Sequence, residues 1–360
     1  MKDARSLVYW GVTDRISSPG ILAKVVDFVD AARDLGYQAD YVTPHPGHKF
    51  EILKTLYTTA LSSKTVIVYR YNSHLAIFFL CATVLARILG KKVIFDVPTP
   101  IIADLRFNIL HQKLNIRSLL ALFQALILGP LPFIASNLVV QYAEETRYLL
   151  PKIFTRSVLL GNGIRCAKWP VPKQRPHRSN FSEINLVGVA TVNVWHRWEI
   201  VIEALNICRS VNPDLVIKFF VIGDGPDVSK LKNLSSKFKL EACVNFEGNK
   251  TYSELCDLYS LFDLGVGTFG WEDLGVKVAS PLKYREYLAN GLPFIYSTPD
   301  PDIDTEENIA FKLVPTAEAV AEFLLIFHKK VVASSYECRL YCEKNMDYSI
   351  KIPRILDLAD

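Results

Sequence analysis

Short apolar runs alternate with longer stretches of mixed apolar and polar residues along the whole chain. Short apolar runs bounded by turn residues predict buried strands, and apolar positions three or four residues apart predict amphipathic helices. In the first half, the predicted strands are 7–12, 39–43, 65–69, 92–96, 138–140 and 158–160. The predicted helices between them are 25–35 and 75–89.

The same alternation starts again in the second half. The predicted strands there are 184–187, 216–222, 244–246, 264–266 and 293–296. The predicted helices are 199–208, 227–238, 253–261 and 281–290, followed by a C-terminal helical region. Strands that alternate with helices predict an α/β fold whose parallel sheets are covered by helices on both faces.

A proline-rich, polar and basic stretch over 169–178 separates the two series and predicts a linker. We therefore predict an N-terminal Rossmann-like domain over 1–168, a linker over 169–182 and a C-terminal Rossmann-like domain over 183–335. A C-terminal helical segment, 336–360, is expected to cross back to the N-terminal domain. Two such domains facing across a cleft place a ligand at the carboxyl ends of their strands.

Length and composition agree with this organisation. The chain has 360 residues, more than one core usually serves at about 100–200 residues per domain. Half of the residues are apolar and 22% are charged, which excludes a disordered chain. The seven cysteines are odd in number and form no CxxC pair, so we expect neither a disulfide framework nor a zinc site, and a reducing cytoplasm fits. The first apolar run is too short for a signal-peptide core of about 7–15 residues, so we expect no secretion.

The positive charge is concentrated in the first half. Residues 1–170 contain 20 Lys and Arg against 11 Asp and Glu, a net of +9, whereas residues 171–360 have a net of −5. Arg106, His111, Lys113 and Arg117 precede the apolar run 119–123, so basic and apolar groups are interleaved there. This pattern favours binding to an anionic membrane surface. An ordinary solvated basic face is the alternative.

No charged residue occurs from Ser118 to Ala143, so a transmembrane helix has to be considered. Gly129-Pro130-Leu131-Pro132 would interrupt such a helix in its middle. We therefore predict a short helix, a turn and a buried strand in this stretch.

Two glycine patterns resemble nucleotide-binding motifs. Residues 265–270 match G-x-G-x-x-G, but residues 271–275 are a poor helix start, which argues against a nicotinamide site. Residues 223–226 (GDGP) end a predicted strand and open a helix, so they are either an anion-binding turn or a plain tight turn. No P-loop motif occurs in the sequence.

Asp300, Asp302 and Asp304 form an acidic cluster of the kind that binds Mg²⁺ or Mn²⁺. Metal-dependent sugar transferases have such a motif in the first half of a single Rossmann-like domain, whereas this cluster follows a late strand. We therefore interpret these carboxylates as helix-capping loop residues and predict no metal site.

Six motifs follow one another in order through the second half. They are LVGV at 186–189, IEAL at 202–205, FVIGDGP at 220–226, VNFEG at 244–248, LYSLFDLGV at 258–266 and KYREYLANGLP at 283–293. Together with GNGI at 161–164, this series resembles the nucleotide-sugar half of the retaining GT-B glycosyltransferases of family 4. The resemblance covers residues 130–300 and implies a GT-B fold for the whole chain.

The resemblance implies a basic pair after the first strand of the second half, which stabilises negative charge on the leaving diphosphate. His196 stands at the family's usual lysine position, and Arg197 follows it. Arg197 is suited to a bidentate phosphate contact, and His196 donates to phosphate if it is protonated. A helix-start pair without a ligand contact is the alternative.

Glu286 resembles the second glutamate of the family's Glu-x7-Glu motif, which implies hydrogen bonds to the ribose hydroxyls. Lys283 precedes it by three residues on the same helical face, where it either reaches the diphosphate or is a solvated helix lysine. The first glutamate of the motif is missing, because Val278 stands at its position. Glu272 or Asp273 is the candidate to replace it near the sugar hydroxyls.

Further contacts to the nucleotide sugar are expected from glycines and one lysine at strand ends and helix starts. These residues are Gly20, Gly188, Gly223, Gly225, Gly248 and Lys250. On the acceptor side, Asp96 occupies the region where relatives have a histidine. We expect Asp96 either to orient an acceptor hydroxyl or to cap the next turn.

The resemblance implies transfer of a hexose-type unit, with retention, from a UDP- or GDP-sugar to a glycan or lipid-linked acceptor in the synthesis of cell-surface polysaccharide or glycolipid. The leaving phosphate takes the acceptor proton, and no metal or separate cofactor is expected. We expect a cytoplasmic protein, peripheral on the inner face of the cell membrane, with no nucleic-acid partner. A nucleotide-sugar 2-epimerase on the same scaffold and a non-catalytic GT-B-like partner of a transferase are the alternatives.

Overall fold

The structure is a computed structural model that describes residues 6–14, 19–98, 124–145, 156–173, 183–304 and 307–360. The chain forms two compact units. The first comprises Met1–Arg165, Gly275–Ser280 and Met346–Asp360, and the second comprises Cys166–Leu274 and Pro281–Asn345. The predicted membrane-binding segment, 101–137, is described only from residue 124, so its apolar run 119–123 and its basic residues Arg106, His111, Lys113 and Arg117 lie outside the described residues. Residues 174–182 of the predicted linker also lie outside them.

A parallel sheet forms the centre of the first unit. The strands of the first half of the chain are β1 (Ser6–Trp10), β2 (Gln38–Val42), β3 (Val66–Arg70), β4 (Lys92–Val97), β5 (Leu138–Gln141), β6 (Ala143–Glu145) and β7 (Ser157–Leu159). Six of them pair in the order β2-β1-β3-β4-β5-β7. The strand order therefore reverses between β1 and β3.

Alternate residues of these strands face opposite sides of the sheet, as the twofold period of a strand requires. Leu7 and Tyr9 of β1 pack in one apolar cluster, and Val8 and Trp10 pack in another. Both faces of the sheet centre are buried, so the central strands β1 and β3 are almost continuously apolar, whereas the edge strand β2 is mostly exposed. The covering helices of this half are α1 (Pro19–Asp34), α2 (Lys49–Leu61), α3 (Ala76–Ile88) and the short α4 (Leu131–Ile134).

The second unit has a parallel sheet of the same size. The strands of the second half are β8 (Glu183–Val189), β9 (Val216–Ile222), β10 (Val244–Gly248), β11 (Leu264–Val266), β12 (Val276–Ala279), β13 (Phe294–Tyr296) and β14 (Ala310–Lys312). Six of them pair in the order β10-β9-β8-β11-β13-β14. Here the order reverses between β8 and β11.

The helices of the second half belong to both units. They are α5 (Glu199–Val211), α6 (Val228–Lys237), α7 (Tyr252–Leu258), α8 (Leu282–Ala289), α9 (Ala317–Leu325), α10 (Ser335–Asn345) and α11 (Tyr348–Leu358). Within the C-terminal segment 336–360, α10 packs in the second unit and α11 packs in the first, against α1. Among the described helices, none combines the length and apolar composition needed to cross a membrane.

Strand β12 leaves the second unit and pairs antiparallel with β6 in the first. Val278 lies opposite Glu144 in this pair. The next residues are fixed in the same unit, because the amide of Asn162 donates to Oγ of Ser280 over 2.7 Å. The position of the missing first glutamate is therefore part of the first unit.

Most predicted strands are confirmed with shifts of one or two residues at their ends. Helix α2 was not predicted, because two of its four buried positions are Thr59 and Ala60, which weaken the apolar period. The helix-capping interpretation of the aspartate cluster is wrong. Asp300 and Asp302 instead bind the buried guanidinium of Arg285 on α8, the latter at 2.7 Å.

Candidate functional site

The carboxyl ends of β8 and β11 form the switch point of the second sheet, where ligands of open α/β sheets bind. Two loops leave it, 190–198 after β8 and 267–274 after β11, and we call them the loop platform. Helix α8 follows at Leu282. His196, Arg197, Glu272 and Asp273 all lie on the platform.

Hydrogen bonds join the two loops of the platform. The amide of Phe269 donates to the carbonyl of His196 over 3.1 Å, and that of Gly270 donates to the carbonyl of Trp195 over 3.0 Å. The indole N–H of Trp198 donates to the carbonyl of Gly267 over 2.8 Å. The loops are thereby held in one arrangement.

The glycines of the G-x-G-x-x-G match are needed for this close packing. A Cβ on Gly267 would lie 2.7 Å from the carbonyl oxygen of Ile295. A Cβ on Gly270 would lie 2.7 Å from the side chain of Arg197. The motif therefore has a packing role at the platform.

Gly223 and Gly225 allow the loop after β9 to approach the loop after β8. A Cβ at Gly223 would overlap the carbonyl of Ala190, and a Cβ at Gly225 would overlap that of Val192. The amide of Gly223 is already bound to the carbonyl of Gly248 over 2.7 Å. These three glycines therefore shape the turn, and the Gly223 amide is not available to an anion.

The side chain of His196, a residue of the platform, is buried. Its Nδ1 accepts a hydrogen bond from the amide of Asn193 over 3.0 Å. Burial and the nearby ammonium of Lys283 hold the pKa of His196 well below its usual range. The ring is therefore neutral and supports the loop, which leaves Arg197 as the charged member of the predicted pair.

Arg197 adopts a left-handed backbone conformation, with φ of 49°, at the end of the 3₁₀ turn Val194–His196. This conformation costs a non-glycine residue about 1–2 kcal/mol and is found at functional sites. Its guanidinium lies 3.2 Å from the carboxylate of Asp273, on the 3₁₀ turn Glu272–Leu274. The structure thus brings Arg197 together with Asp273.

Lys283 is the second cation of this region. Its Nζ lies 4.8 Å from the centre of the Trp198 ring, which is itself packed where a Cβ of Gly188 would be. Nζ is buried and has no hydrogen-bond partner among the described residues. Burial lowers the pKa of Lys283 to about 7, although the carboxylate of Glu286, one turn later, opposes the shift.

Glu286 lies beside the buried hydroxyl of Tyr259, whose pKa is raised by burial and further by the negative charge of Glu286. Glu286 itself is partly exposed. Lys283 and Glu286 thus share one face of α8, as their spacing predicted.

A pair of tryptophans next to Arg197 was not identified from the sequence. The rings of Trp195 and Trp271 stack with 6.2 Å between their centres and 21° between their planes. The indole N–H of Trp271 is buried and has no hydrogen-bond partner within the described residues. A buried donor without a partner costs about 1–3 kcal/mol, so an acceptor atom of a ligand would relieve it.

The other predicted site residues belong to other loops of the second unit or to the first unit. Lys250 forms an ion pair with Glu247 at 3.3 Å. Gly20 lies in the first turn of α1, and Asp96 lies near the end of β4, both in the first unit. In the part of the chain that the structure describes, no group of three His, Cys, Asp or Glu side chains is placed to hold a metal ion.

No protein-family model and no curated protein matches this sequence. Solved structures do match it. HepE from Anabaena in complex with UDP is 14% identical, with a TM-score of 0.64 over 98% of this chain and 99% of that chain. Sucrose-phosphate synthase from Thermosynechococcus elongatus is 12% identical, with a TM-score of 0.65 over 98% of both chains.

The lipopolysaccharide outer core galactosyltransferase WaaB, in its apo form, is 12% identical, with a TM-score of 0.61 over 98% of this chain and 99% of that chain. At such identities the likeness concerns the fold. Together with the two six-stranded parallel sheets, it confirms the predicted GT-B fold of two Rossmann-like units.

The first prediction concerns the buried His196. Its lowered pKa means that the unfolded chain, with a histidine pKa of about 6.5, binds more protons than the folded chain below that pH. The contribution of the neutral ring to stability is therefore complete above about pH 6.5. It decreases as the pH falls, by up to about 1.4 kcal/mol per unit.

Urea unfolding should therefore show a smaller loss of unfolding free energy between about pH 7 and about pH 5 in His196→Gln than in the wild type. The exposed His74 provides the control, and His74→Gln should keep the wild-type dependence. Parallel curves for His196→Gln and the wild type would show that the buried ring does not titrate in this way.

Proposed function

We propose that the second unit binds a nucleoside-diphosphate sugar, UDP- or GDP-linked, with the diphosphate between Lys283 and Arg197. The observation that supports this most strongly is the buried Nζ of Lys283, which has no hydrogen-bond partner among the described residues. A buried ammonium is stable when an anion pairs with it. Lys283 also lies at the switch point of the sheet, which is where open α/β sheets bind their ligands.

The remaining parts of the donor have candidate partners nearby. Glu286, on the face of α8 that contains Lys283, accepts hydrogen bonds from the ribose hydroxyls. Asp273, rather than Glu272, is the proposed partner of the sugar hydroxyls, because the Arg197 ion pair fixes its carboxylate at the platform. The motif resemblance and the UDP complex of HepE support a nucleotide-sugar ligand.

The proposed reaction is transfer of a hexose-type unit with retention of anomeric configuration. The bond between C1 and the phosphate oxygen breaks, and the cations at Arg197 and Lys283 stabilise the charge that grows on the diphosphate. The acceptor hydroxyl attacks C1 from the same face, and its proton passes to the leaving phosphate. The motif resemblance supports retention, and the two protein cations support transfer without a metal ion.

We propose a glycan or lipid-linked acceptor of cell-surface polysaccharide or glycolipid synthesis, with the first unit lying on an anionic membrane at the inner face. The outer face of α3 supports this placement, because its exposed side chains include the apolar Ile77, Phe78, Val84 and Ile88. Arg87 is the sole charged residue of this helix. An exposed apolar face within a basic half of the chain, net +9 over 1–170, fits a bilayer with anionic lipids.

The second prediction tests the donor site. UDP-glucose and GDP-mannose are first compared on the wild type, and the one that binds more tightly is used as the ligand. Lys283→Met should raise its Kd about 10- to 150-fold, because one charge-assisted hydrogen bond of about 1.5–3 kcal/mol is lost. In the wild type, affinity should fall as the pH rises above 7, since Lys283, with a pKa of about 7, loses its proton. Calorimetry measures both effects.

Lys283→Arg remains protonated, so its affinity should not change with pH over the same range. The surface variant Lys237→Met, on α6, should behave as the wild type. An unchanged Kd in Lys283→Met, or a wild-type affinity that does not depend on pH, would remove Lys283 from the site.

The third prediction concerns catalysis. Arg197→Ala should lower the release of nucleoside diphosphate from the donor about 100- to 1,000-fold, because one donor to developing charge is lost. Lys230→Ala, which removes an exposed cation of α6, should have little effect.

EDTA should not reduce the rate, and NMR of the product should show the donor's anomeric configuration. Loss of activity in EDTA that Mg²⁺ restores, or an inverted product, would contradict the proposed chemistry.

The fourth prediction concerns the membrane. The double variant Phe78→Ser/Ile88→Ser should co-sediment about tenfold less with vesicles of phosphatidylglycerol and phosphatidylcholine than the wild type, because buried apolar area is lost. High salt should release the wild type. Val211→Ser, at an exposed apolar position of the second unit, is the matched control. Equal sedimentation of all three proteins would exclude α3 from membrane binding.

A further inference from the structure

The first unit has its own switch point, between β1 and β3, and Arg70 is the last residue of β3 there. Gly11 follows β1 directly, and a Cβ on it would lie 2.9 Å from the Cβ of Arg70. The glycine therefore makes room for the arginine at the carboxyl end of the sheet. Ligands of such sheets bind at this place.

Arg70 belongs to a buried charged group that we call the Arg70 cluster, consisting of Tyr9, Lys24, Arg70 and Asp96. Lys24 of α1 donates to Oδ1 of Asp96 over 3.0 Å, and Arg70 donates to Oδ2 over 3.3 Å. The hydroxyl of Tyr9 also donates to Oδ2. Both oxygens of Asp96 thus accept hydrogen bonds from the protein. The carboxylate holds Lys24 and Arg70 in position and is not directed at an acceptor hydroxyl.

The cluster contains more positive than negative charge. Lys24 and Asp96 are almost fully buried, and the side chain of Arg70 is 11% exposed. Burial lowers the pKa of Lys24 and raises that of Asp96 to about 8. If a proton moves from Lys24 to Asp96, both become neutral, and the net charge of Lys24, Arg70 and Asp96 together stays at +1. The remaining charge is that of the Arg70 guanidinium, which stays protonated although burial lowers its pKa to about 10.

Arg70 also has donors that the protein does not use. A guanidinium offers five N–H donors, and Asp96 takes one of them within the described ranges. The side chain is 11% exposed, and none of its nitrogens is among the fully buried polar atoms that lack a partner in the described residues, so the unused donors are accessible to a ligand. A mostly buried cation with unused donors is stabilised by an anion that accepts from them.

We propose that Arg70, backed by Lys24, binds a phosphate group at the switch point of the first unit. Phosphate fits because the planar guanidinium presents two parallel N–H donors to two oxygens, which a neutral hydroxyl does not match. If the proposed transfer is correct, this group belongs to the acceptor, so the acceptor is a phosphate ester. The binding itself does not depend on the reaction of the second unit.

The test is a titration with inorganic phosphate in the Lys283→Met background, which removes the proposed anion site of the second unit. Phosphate at constant ionic strength should raise the midpoint of thermal unfolding in a saturable way, since it binds the folded state. Arg70→Gln should weaken this binding about tenfold or more. Arg33→Gln removes an exposed guanidinium of the same unit and should leave it unchanged.

Arg70→Lys keeps the charge without the planar pair of donors, so it should fold even if Arg70→Gln does not, and it should show intermediate affinity. Equal phosphate binding by the Arg70 variants and the parent, or no saturable binding by the parent, would overturn the proposal. UDP-glucose binding in an otherwise wild-type Arg70→Gln protein should be unchanged. A failure of this site is thereby distinguished from a failure of the donor site.

Two further ligands separate the sources of the phosphate. For a soluble phosphate ester, the binding of glucose 6-phosphate is compared with that of glucose. For a lipid phosphate ester, the binding of dihexanoylphosphatidic acid is compared with that of dihexanoylglycerol. Dependence on Arg70 for either phosphate ester supports the site and assigns its source. If neither ester binds better than its neutral partner, the site does not recognise phosphate.

Discussion

The backbone contact between the loops after β8 and β11 is the constraint on which the proposed donor site depends. It requires glycine at 267 and 270, since neighbouring atoms fill the Cβ positions. The contact is made by main-chain atoms, so it fixes the backbone positions from which the side chains of Arg197 and Asp273 extend. Trp198, bound to the carbonyl of Gly267, then provides the surface next to which the Lys283 ammonium is buried.

Both units place a buried cation at the reversal point of a parallel sheet. In the second unit it is Lys283, with a neutral His196 below the same loops. In the first it is Arg70, with Lys24 and Asp96. Buried positive charge that the described residues balance only in part is costly, and an anionic ligand reduces that cost. We therefore expect an anion at the switch point of each sheet.

Most strands and most helices were predictable because strands buried on both faces are continuously apolar, as Val66 to Tyr69 in β3 show. Glu286 was identified from the motif resemblance, and the face of α8 that it shares with Lys283 was predictable from their spacing. Strand β12 was not, because its partner β6 is distant in sequence. The burial that makes His196 neutral and the charge balance around Arg70 also depend on distant contacts, such as that of Lys24 with Asp96, which no local pattern reveals.

Binding of a nucleotide sugar at the switch point of the second unit can be measured by hydrogen exchange of the backbone amides, with and without UDP-glucose or GDP-mannose. We expect slower exchange on ligand binding in residues 190–198, 267–274 and the first turns of α8, with no change in α11 of the first unit. Unchanged exchange in all three segments under saturating ligand, or protection confined to the first unit, would contradict it.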